Sequence, residues 1–228
     1  MIPFAAKSFA NTEGADDMRR VAIETLLTFD EGHEILADLS PSVTDELRWY
    51  ALDKMKVSHH VPCVAIAKQI MNSAEEQEGE RMKAAKLLIE LQDLDGLLYF
   101  VLKVKETKRA LLAYPEESTL RNVVSRDAIP LLMDLLEVAY ENGFVDNKHY
   151  SIHNIIQGAL TNTTLINDCF DEVKSRILDL IERKKKDNDD VRFLHVYLIR
   201  LEKEVRLNKS MKISLSAAIA QVDEILAG

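Results

Sequence analysis

The sequence predicts an all-α fold in which antiparallel helix pairs stack in a row as an α-solenoid, and three observations support that prediction. Apolar residues make up 47% of the 228 residues and charged residues 29%, which is the balance of an ordinary globular protein. Seven glycines and five prolines are too few for the many turns of an all-β or doubly wound fold. Apolar residues recur at spacings of three and four along most of the chain, as in amphipathic helices.

The first three helical segments are predicted from their apolar stripes and start signals. Residues 16–29 form the first, with Asp16 and Asp17 at the end where the helix dipole favours acids. Its inward stripe consists of Met18, Val21, Ala22 and Leu26. A short segment over residues 31–39 follows, and Pro41 with a Ser-x-x-Asp cap then starts a third helix. The inward stripe of that helix consists of Val43, Leu47, Tyr50 and Ala51.

Two further helices are separated by a polar, acidic break. Val61-Pro62 starts one of them, and Asn72-Ser73 ends it. The acidic residues before the next helix are placed where its dipole favours them; they are Glu75, Glu76, Glu78 and Glu80. The two stripes are Cys63, Ala67, Ile70 and Met71, and then Ala84, Leu87, Leu88 and Leu91.

A short break over residues 93–96 precedes a helix over residues 97–112, and Tyr114-Pro115 stops it. Residues 99–104 are also compatible with a strand, because they are rich in aromatic and β-branched side chains. The helix is the favoured interpretation, with the strand left open.

The later helices are predicted over residues 127–140, 151–159, 164–186, 191–207 and 214–226. The first of these is apolar on two sides, which predicts burial between neighbours, and Asn142-Gly143 closes it. The polar run over residues 184–190 is a short turn, which makes the helices beside it antiparallel neighbours. Their inner faces are Val173, Ile177, Leu180 and Ile181 against Leu194, Leu198, Leu201 and Val205.

Residues 1–228 are expected to form one helical-repeat domain, with a flexible polar lead over residues 1–15. Helix pairs recur about 35 to 45 residues apart, which is the outline of stacked helical repeats. Because such arrays are commonly one part of a longer polypeptide, the chain is also a candidate segment of a larger protein.

Three runs of residues resemble parts of known helical repeats. The run over residues 127–136, Asp-Ala-Ile-Pro-Leu-Leu-Met-Asp-Leu-Leu, resembles the third helix of an armadillo repeat. Residues 84–91 and then 95–98 are similar to the junction of the second and third helices, and residues 153–162 are similar to a second helix. Asp127 stands where glycine is usual in that family, so a HEAT-like array is equally open.

The armadillo-like and HEAT-like resemblance covers about a third of the chain. It implies a curved array that presents a groove to a protein partner. It implies no chemistry of its own.

Cysteine content and the absence of export signals predict a cytoplasmic protein. Cys63 and Cys169 are too few and too far apart for a disulfide framework, which favours a reducing compartment. Residues 1–10 lack the charged start and apolar run of a signal peptide, and no stretch is long and apolar enough to enter a membrane. Glycosylation-like triplets at Asn162 and Asn208 are therefore interpreted as chance matches.

Charge is unevenly distributed along the chain. Acidic residues outnumber basic ones by 18 to 10 over residues 1–100, whereas residues 171–228 hold 11 acids and 12 bases. A net charge of -9 provides no general positive field to attract nucleic acid.

Two clusters are candidate metal sites. His33-Glu34 begins a run like the zinc-protease H-E-x-x-H motif, but Ala37 stands where the second histidine is required. The second cluster is formed by His59, His60 and Cys63. It would need a further ligand from elsewhere in the fold, and the candidates are His33 and Cys169. A structural role is favoured for both clusters, so no metal and no cofactor is predicted.

No motif for catalysis or nucleotide binding is found. The seven glycines lie at least fifteen residues apart, which excludes a glycine-rich phosphate loop and a nucleophile elbow. The acid pairs Glu75 with Glu76 and Asp189 with Asp190 are interpreted as solvated helix faces or caps. The chain is therefore predicted not to be an enzyme, with no catalytic residue.

Basic residues of the second half are candidates for a strip that binds nucleic acid through phosphate contacts. They are Lys103, Lys105, Lys108 and Arg109, residues 183–186, and Lys203, Arg206, Lys209 and Lys212. The acids interleaved with them favour ion pairs on helix surfaces instead.

Trp49 is the only tryptophan and is flanked by Arg48 and Tyr50. Arginine and aromatic residues are the types that anchor protein interfaces, although burial in the core explains Trp49 equally well. Because Tyr50 is assigned to the inward stripe, Trp49 is expected to point partly away from that stripe.

The favoured function is a non-enzymatic scaffold or interaction module that binds a protein partner, or another domain of its parent chain, through a helical-repeat groove. One alternative is nucleic-acid binding by the carboxyl-terminal basic strip. The other is a metal-dependent helical domain built around His59, His60 and Cys63.

Overall fold

The computed structural model describes residues 16–29, 31–39, 45–58, 60–107, 125–141, 166–204 and 207–227. Every element of regular secondary structure in these ranges is an α-helix. The helices are α1 (Asp16–Leu26), α2 (Gly32–Leu39), α3 (Asp45–Ser58), α4 (His60–Asn72), α5 (Glu78–Glu90), α6 (Leu94–Thr107), α7 (Ala128–Glu141), α8 (Ile166–Lys184), α9 (Asn188–Glu204) and α10 (Lys209–Ala227). The all-α prediction is confirmed for this part of the chain. The strand considered over residues 99–104 is wrong, because those residues lie inside α6.

Residue contacts divide the chain into two compact units, Met1–Leu91 and Gln92–Gly228. Of the helices above, α1 to α5 belong to the first unit and α6 to α10 to the second. The expectation of one domain over residues 1–228 stays a prediction.

In the first unit, α1 and α3 lie side by side and run in the same direction. Arg20 of α1 pairs with Glu46 of α3. One turn further along both helices, the Tyr50 hydroxyl donates a 2.6 Å hydrogen bond to Glu24 Oε1. Because the second pair advances along both helices relative to the first, α1 and α3 are parallel.

The next helix of that row, α5, is parallel to α3 for the same reason. The Arg48 guanidinium donates a 3.2 Å hydrogen bond from Nη2 to Glu76 Oε2, just before α5 begins. About two turns further along α3, Lys56 Nζ lies 2.9 Å from Glu90 Oε2, which is in the last turn of α5. The helices α1, α3 and α5 thus form one row, within which side chains of neighbouring helices meet.

The intervening helices complete the first unit. Contacts join α2 to α1 and α4, and α4 to α3 and α5. Residues 27–31 separate α1 from α2, and residue 59 alone separates α3 from α4. Such short connections keep these contacting helices next to each other in the fold.

The core of the first unit follows the predicted stripes of α4 and α5 but not that of α1. Met18 and Val21 were assigned to the buried face of α1, yet they are 56% and 57% exposed. The buried residues of α1 are Arg19, Ala22, Ile23 and Leu26. This face is rotated from the predicted one because Arg19 and Ile23 lie inward with Ala22 and Leu26, at spacings of three and four, in place of Met18 and Val21.

In the second unit, α7 and α8 are parallel neighbours linked by charged side chains. Arg176 Nη2 donates a 2.6 Å hydrogen bond to Asp134 Oδ1, and Arg183 Nη1 donates one of 2.9 Å to Glu141 Oε1. The second pair lies two turns further along both helices than the first, so the helices run in the same direction. Between them, Glu137 accepts from Arg176 Nε at 2.8 Å. The two-sided burial predicted for α7 is confirmed at most of its apolar positions.

The remaining helices of the second unit pack in sequence order. Residues 185–187 form the turn between α8 and α9. The inner faces predicted for this pair are buried wherever the structure describes them. Ser216 of α10 donates a 2.7 Å hydrogen bond to Glu202, and His195 Nε2 lies 3.2 Å from Asp223 Oδ1. Since the later residue of α9 meets the earlier residue of α10, α9 and α10 are antiparallel.

Three predicted helix starts are wrong. The helix α9 begins at Asn188 and not at residue 191. The break before α6 is at residues 91–93, where Gln92 has φ of 62°, so the helix begins at Leu94 and Gly96 lies inside it. The last helix begins at Lys209 and not at residue 214. Asn208 Oδ1 accepts a 2.9 Å hydrogen bond from the Met211 amide, which caps an otherwise unpaired donor of the first turn.

Several predictions fall outside the described residues. They concern residues 1–15, Pro41 and Val43, the His59 and His60 side chains, Lys108, Arg109, residues 114–118, 142–143 and 151–159, Asn162, Val205 and Arg206. No helix in the described ranges combines the length and apolarity that crossing a bilayer requires.

Candidate functional site

A groove of about 650 Å³ lies between α3 and α5 and is called the α3–α5 groove. It is lined by Glu46, Trp49, Leu52, Asp53, Lys56, Lys83, Lys86, Leu87 and Glu90. Buried Leu52 and Leu87 form its base together with half-buried Trp49. Its volume is within the range of small-ligand and side-chain pockets in proteins.

The helical period explains why these side chains face one another. On α3, Trp49, Asp53 and Lys56 are spaced by four and three residues, so they follow one face of the helix. On α5, the corresponding positions are Lys83, Lys86, Leu87 and Glu90. Because α3 and α5 are parallel neighbours, the two faces border the same groove along about two helical turns.

Trp49 is held in one orientation by α5. Its indole Nε1–H donates a hydrogen bond to Glu80 Oε2. Lys83 Nζ lies 5.7 Å from the centre of the indole ring, within the range of a cation–π contact. Lys83 also lies 2.7 Å from Glu80 Oε1, so one carboxylate organises both side chains. The tryptophan thus presents a fixed aromatic surface in the groove.

The buried Arg48 contacts the carboxylate that orients Trp49. Arg48 is 7% exposed, and its guanidinium contacts Glu76 and Glu80, with Nη2 lying 3.3 Å from Glu80 Oε2. Burial raises the pKa of Glu80, but hydrogen bonds from Lys83 and Trp49 and the Arg48 charge outweigh burial, so that pKa lies below its usual value. Glu80 is therefore an anion that fixes the indole.

The far end of the groove is closed by an ion pair. The hydrogen bond from Lys56 to Glu90 raises the pKa of Lys56 above its usual value. Asp53 Oδ1 lies 3.7 Å from the same ammonium group, at the limit of an ion pair. Lys86 makes no ion pair with any residue that the structure describes.

The charges of the groove are separated by side. Lys56 of α3 and Glu90 of α5 neutralise each other as an ion pair. Of the other charged lining residues, Glu46 and Asp53 lie on the α3 side and Lys83 and Lys86 on the α5 side. An occupant of the groove would therefore meet acids on one flank and bases on the other.

Two other concave surfaces lie in the second unit. One, also of about 650 Å³, is lined only by charged residues: Glu137, Arg176, Asp179, Glu182 and Arg183. The other is smaller, at about 200 Å³, between α8 and α10. Neither presents an aromatic side chain, so the α3–α5 groove is the stronger candidate among the described surfaces.

The neighbours of Trp49 do not share its surroundings. Tyr50 was assigned to the buried stripe of α3, but it is only half-buried and faces α1, where it bonds Glu24. Arg20 and Lys54 lie 5.3 Å and 5.2 Å from the centre of its ring. The buried face of α3 instead includes Arg48, which charge alone would have placed outside.

The acidic run before α5 has a role that the dipole argument missed. Glu76 and Glu80 lie against Arg48, which comes 28 and 32 residues earlier in the chain. Only Glu75 and Glu78 are exposed, as that argument expects. The clustering of Arg48 with Trp49 was a signal of a tertiary site, but it did not identify the acidic partner.

Cys63 lies in the core of the first unit, whereas the side chains of His59 and His60 lie outside the described residues. The Cys63 thiol has a partner within the chain. Its Sγ–H group is buried and donates a 3.4 Å hydrogen bond to the Leu52 carbonyl oxygen. Burial raises the pKa of the Cys63 thiol to about 11, so the thiol of the metal-free chain is protonated at neutral pH. Within the described ranges, no three potential ligands among His, Cys, Asp and Glu come together for a metal ion.

Several basic residues of the second half lie in ion pairs. Lys103 Nζ lies 2.9 Å from Glu106, Lys105 Nζ lies 3.5 Å from Asp134, and Lys185 pairs with Glu182. Arg183 contacts Glu137 and Glu141. Lys203, Lys209 and Lys212 are exposed.

Of the acid pairs considered for catalysis, Glu75 and Glu76 have different surroundings. Glu76 forms an ion pair with Arg48, whereas Glu75 is exposed. Asp189 lies 3.7 Å from Arg192 on its own helix, and the Asp190 side chain is outside the described part.

Comparison of the chain with protein-family models, characterised proteins and solved structures gave no match. The armadillo-like and HEAT-like resemblance therefore depends on the sequence runs quoted above.

Proposed function

We propose that this chain is a non-enzymatic interaction module, an α-solenoid-like stack of helix pairs that binds a partner protein or another domain of its parent chain through the α3–α5 groove. The row of α1, α3 and α5 supports this proposal, because helices two apart in sequence lie parallel in stacked helical repeats. In such arrays, the surface between successive helices is the usual place for a partner.

The orientation of Trp49 is the observation that carries the proposal. A half-buried indole in a groove leaves apolar area in contact with water, which a partner would remove. Its hydrogen bond to Glu80 and its contact with Lys83 restrict its motion before any partner binds. A preorganised aromatic side chain loses little conformational entropy on binding, and tryptophan is enriched among residues that dominate interface energies.

The alternatives have weaker support. The Cys63 thiol of the metal-free protein is protonated and already hydrogen-bonded within the chain. Nucleic-acid binding would depend on Lys203, Lys209 and Lys212, since other bases of the strip lie beside acids. A cytoplasmic location is part of the proposal, and the buried, unpaired thiols of Cys63 and Cys169 support it.

Quantitative partner capture tests the proposal. The tagged full chain, its Trp49→Ala variant and its Tyr50→Ala variant are expressed in the native cell and compared by mass spectrometry. Tyr50 is the matched control because it is an aromatic residue on the same helix that faces α1 instead of the groove. Circular dichroism first establishes that both variants are folded.

The expected result is a partner retained by Tyr50→Ala and lost by Trp49→Ala. Equal capture by both variants contradicts the proposal. Binding of the pure chain to random DNA or RNA at low salt, lost steeply as salt rises, would favour the nucleic-acid alternative instead.

A further inference from the structure

We infer that the occupant of the α3–α5 groove is a short amphipathic α-helix of the partner, with acidic residues on the flank facing α5 and basic residues on the flank facing α3. This inference rests on the proposed function and specifies the chemistry of the partner. Three features of the groove lead to it: the composition of its lining, the separation of its charges and its length.

The lining favours a helix over an extended segment. None of the described residues that line the groove carries an amide or hydroxyl group, and its base is formed by Trp49, Leu52 and Leu87. The charged side chains on the flanks could pair with some backbone groups of an extended segment, but its N–H and C=O groups over the apolar base would lack partners, which is costly once water is excluded. A helix satisfies those groups internally and offers an apolar stripe to the groove.

The charges of the groove define the flanks of the occupant. Apart from the Lys56–Glu90 pair, the charged lining residues are acidic on the α3 side and basic on the α5 side. Glu46 already pairs with Arg20, and Lys83 already pairs with Glu80, so Asp53 and Lys86 are the charges that a partner would meet most directly. Lys86 makes no ion pair among the described residues, and Asp53 lies 3.7 Å from Lys56. A helix with acids toward Lys86 and bases toward Asp53 meets complementary charge on both sides, whereas the reverse orientation meets like charge on both.

The length of the groove limits the occupant to a few turns. The segment from Trp49 to Lys56 rises by roughly 10 Å, since each helical residue adds about 1.5 Å. The ion pair between Lys56 and Glu90 closes that end. Two to three turns with apolar residues at i, i+3 or i+4 and i+7 would therefore span the base.

Selection from a displayed peptide library tests the inference. The library consists of 14-residue sequences that lack tryptophan, and the target is the full chain. Because Trp49 is the only tryptophan of the protein, a change in tryptophan emission on adding a selected peptide reports occupancy of this groove. The expected selected sequences have a helical apolar stripe with acids on one side and bases on the other.

Charge reversal at Lys86 tests whether the acidic flank of the bound helix faces α5. Lys86→Glu is expected to weaken binding of the selected peptides by about fivefold, because an attraction at the edge of the interface becomes a repulsion. Changing the acids on the corresponding flank of the peptide to lysine is expected to restore binding to Lys86→Glu. Lys212→Glu, an exposed lysine of the second unit, is the matched control and is expected to leave binding within twofold.

The outcomes separate this inference from the proposed function. Peptides that change the Trp49 emission but lack the helical period, or that bind Lys86→Glu and the wild type equally, overturn the helix inference and leave the interaction proposal intact. Selected peptides that leave the Trp49 emission unchanged also overturn the inference, and partner capture with Trp49→Ala then decides the proposed function by itself.

Discussion

The guanidinium of Arg48 donates to both carboxylate oxygens of Glu76, which follows it by 28 residues. Arg48 is almost completely buried on α3, and Glu76 lies in the turn just before α5. A fork-to-fork pair of this kind fixes direction as well as distance. It therefore holds the start of α5 against α3, and with it the side of the groove that orients Trp49.

Replacing Arg48 by alanine is expected to lower the free energy of unfolding by about 3 kcal/mol, because it leaves Glu80 and Glu76 without their buried cation. Urea unfolding followed by circular dichroism measures this change. Arg20→Ala is the matched control, since Arg20 pairs with Glu46 in a more exposed position and its loss should cost less than about 1 kcal/mol. Similar losses in the two variants would show that the buried pair does not hold α5.

Acid should destabilise the first unit through Glu80. The pKa of Glu80 is lowered in the folded state, so its ionisation stabilises the fold above the pKa of the unfolded state, and this stability is lost as pH falls through the folded value. Unfolding free energies measured between pH 3 and pH 7 are expected to decline less steeply for Glu80→Gln than for the wild type. Parallel curves for the two proteins would contradict this assignment.

In alkaline solution, Cys63 should make the free energy of unfolding fall as pH rises, which is opposite to the dependence expected for Glu80. Its pKa is raised from 9.0 to about 11 in the folded state. Between these values the unfolded chain releases a proton that the folded chain retains, so stability falls by about 2 to 3 kcal/mol as pH rises through this window. Cys63→Ala should lack this component, which guanidinium unfolding at pH 8, 9 and 10 would detect. An identical alkaline decline in the variant would exclude Cys63 as its source.

Two glycines should respond oppositely to the same substitution. A Cβ atom at Gly32 would lie 1.8 Å from the Leu26 carbonyl oxygen, so Gly32→Ala must displace backbone and should cost about 3 kcal/mol or more. A Cβ atom at Gly79, in the first turn of α5, would have nothing within 4 Å. Gly79→Ala should therefore stabilise the chain by about 0.5 kcal/mol through helix propensity. Thermal unfolding of both variants measures the contrast, and equal shifts would argue against the close approach of α1 and α2.

The sequence predicted best those elements whose inner faces are purely apolar. The facing stripes of α8 and α9, which include Ile177 and Leu198, are buried as expected because no polar side chain competes for those positions. The buried face predicted for α1 was wrong, because Arg19 is buried while Met18 and Val21 are exposed. A pattern of apolar residues cannot identify a charged side chain that is buried as a whole, as Arg19 is.

The groove was harder to predict than the helices. Trp49 was a candidate from its residue type, but its partner Glu80 comes 31 residues later and had a sufficient local explanation as an acid near a helix start. Spacing along one helix does not show which helices become neighbours. The Asn208 cap, by contrast, was visible in the sequence, where it had been interpreted only as a chance glycosylation triplet.

The pairings described for the first unit join residues that are close in the chain. Glu24 and Tyr50 are 26 residues apart, and Lys56 and Glu90 are 34 apart. Contacts of short sequence separation close small loops and favour fast folding. The first unit can therefore complete its packing during synthesis, while much of the second is still being made, and its apolar faces are then exposed to other chains only briefly.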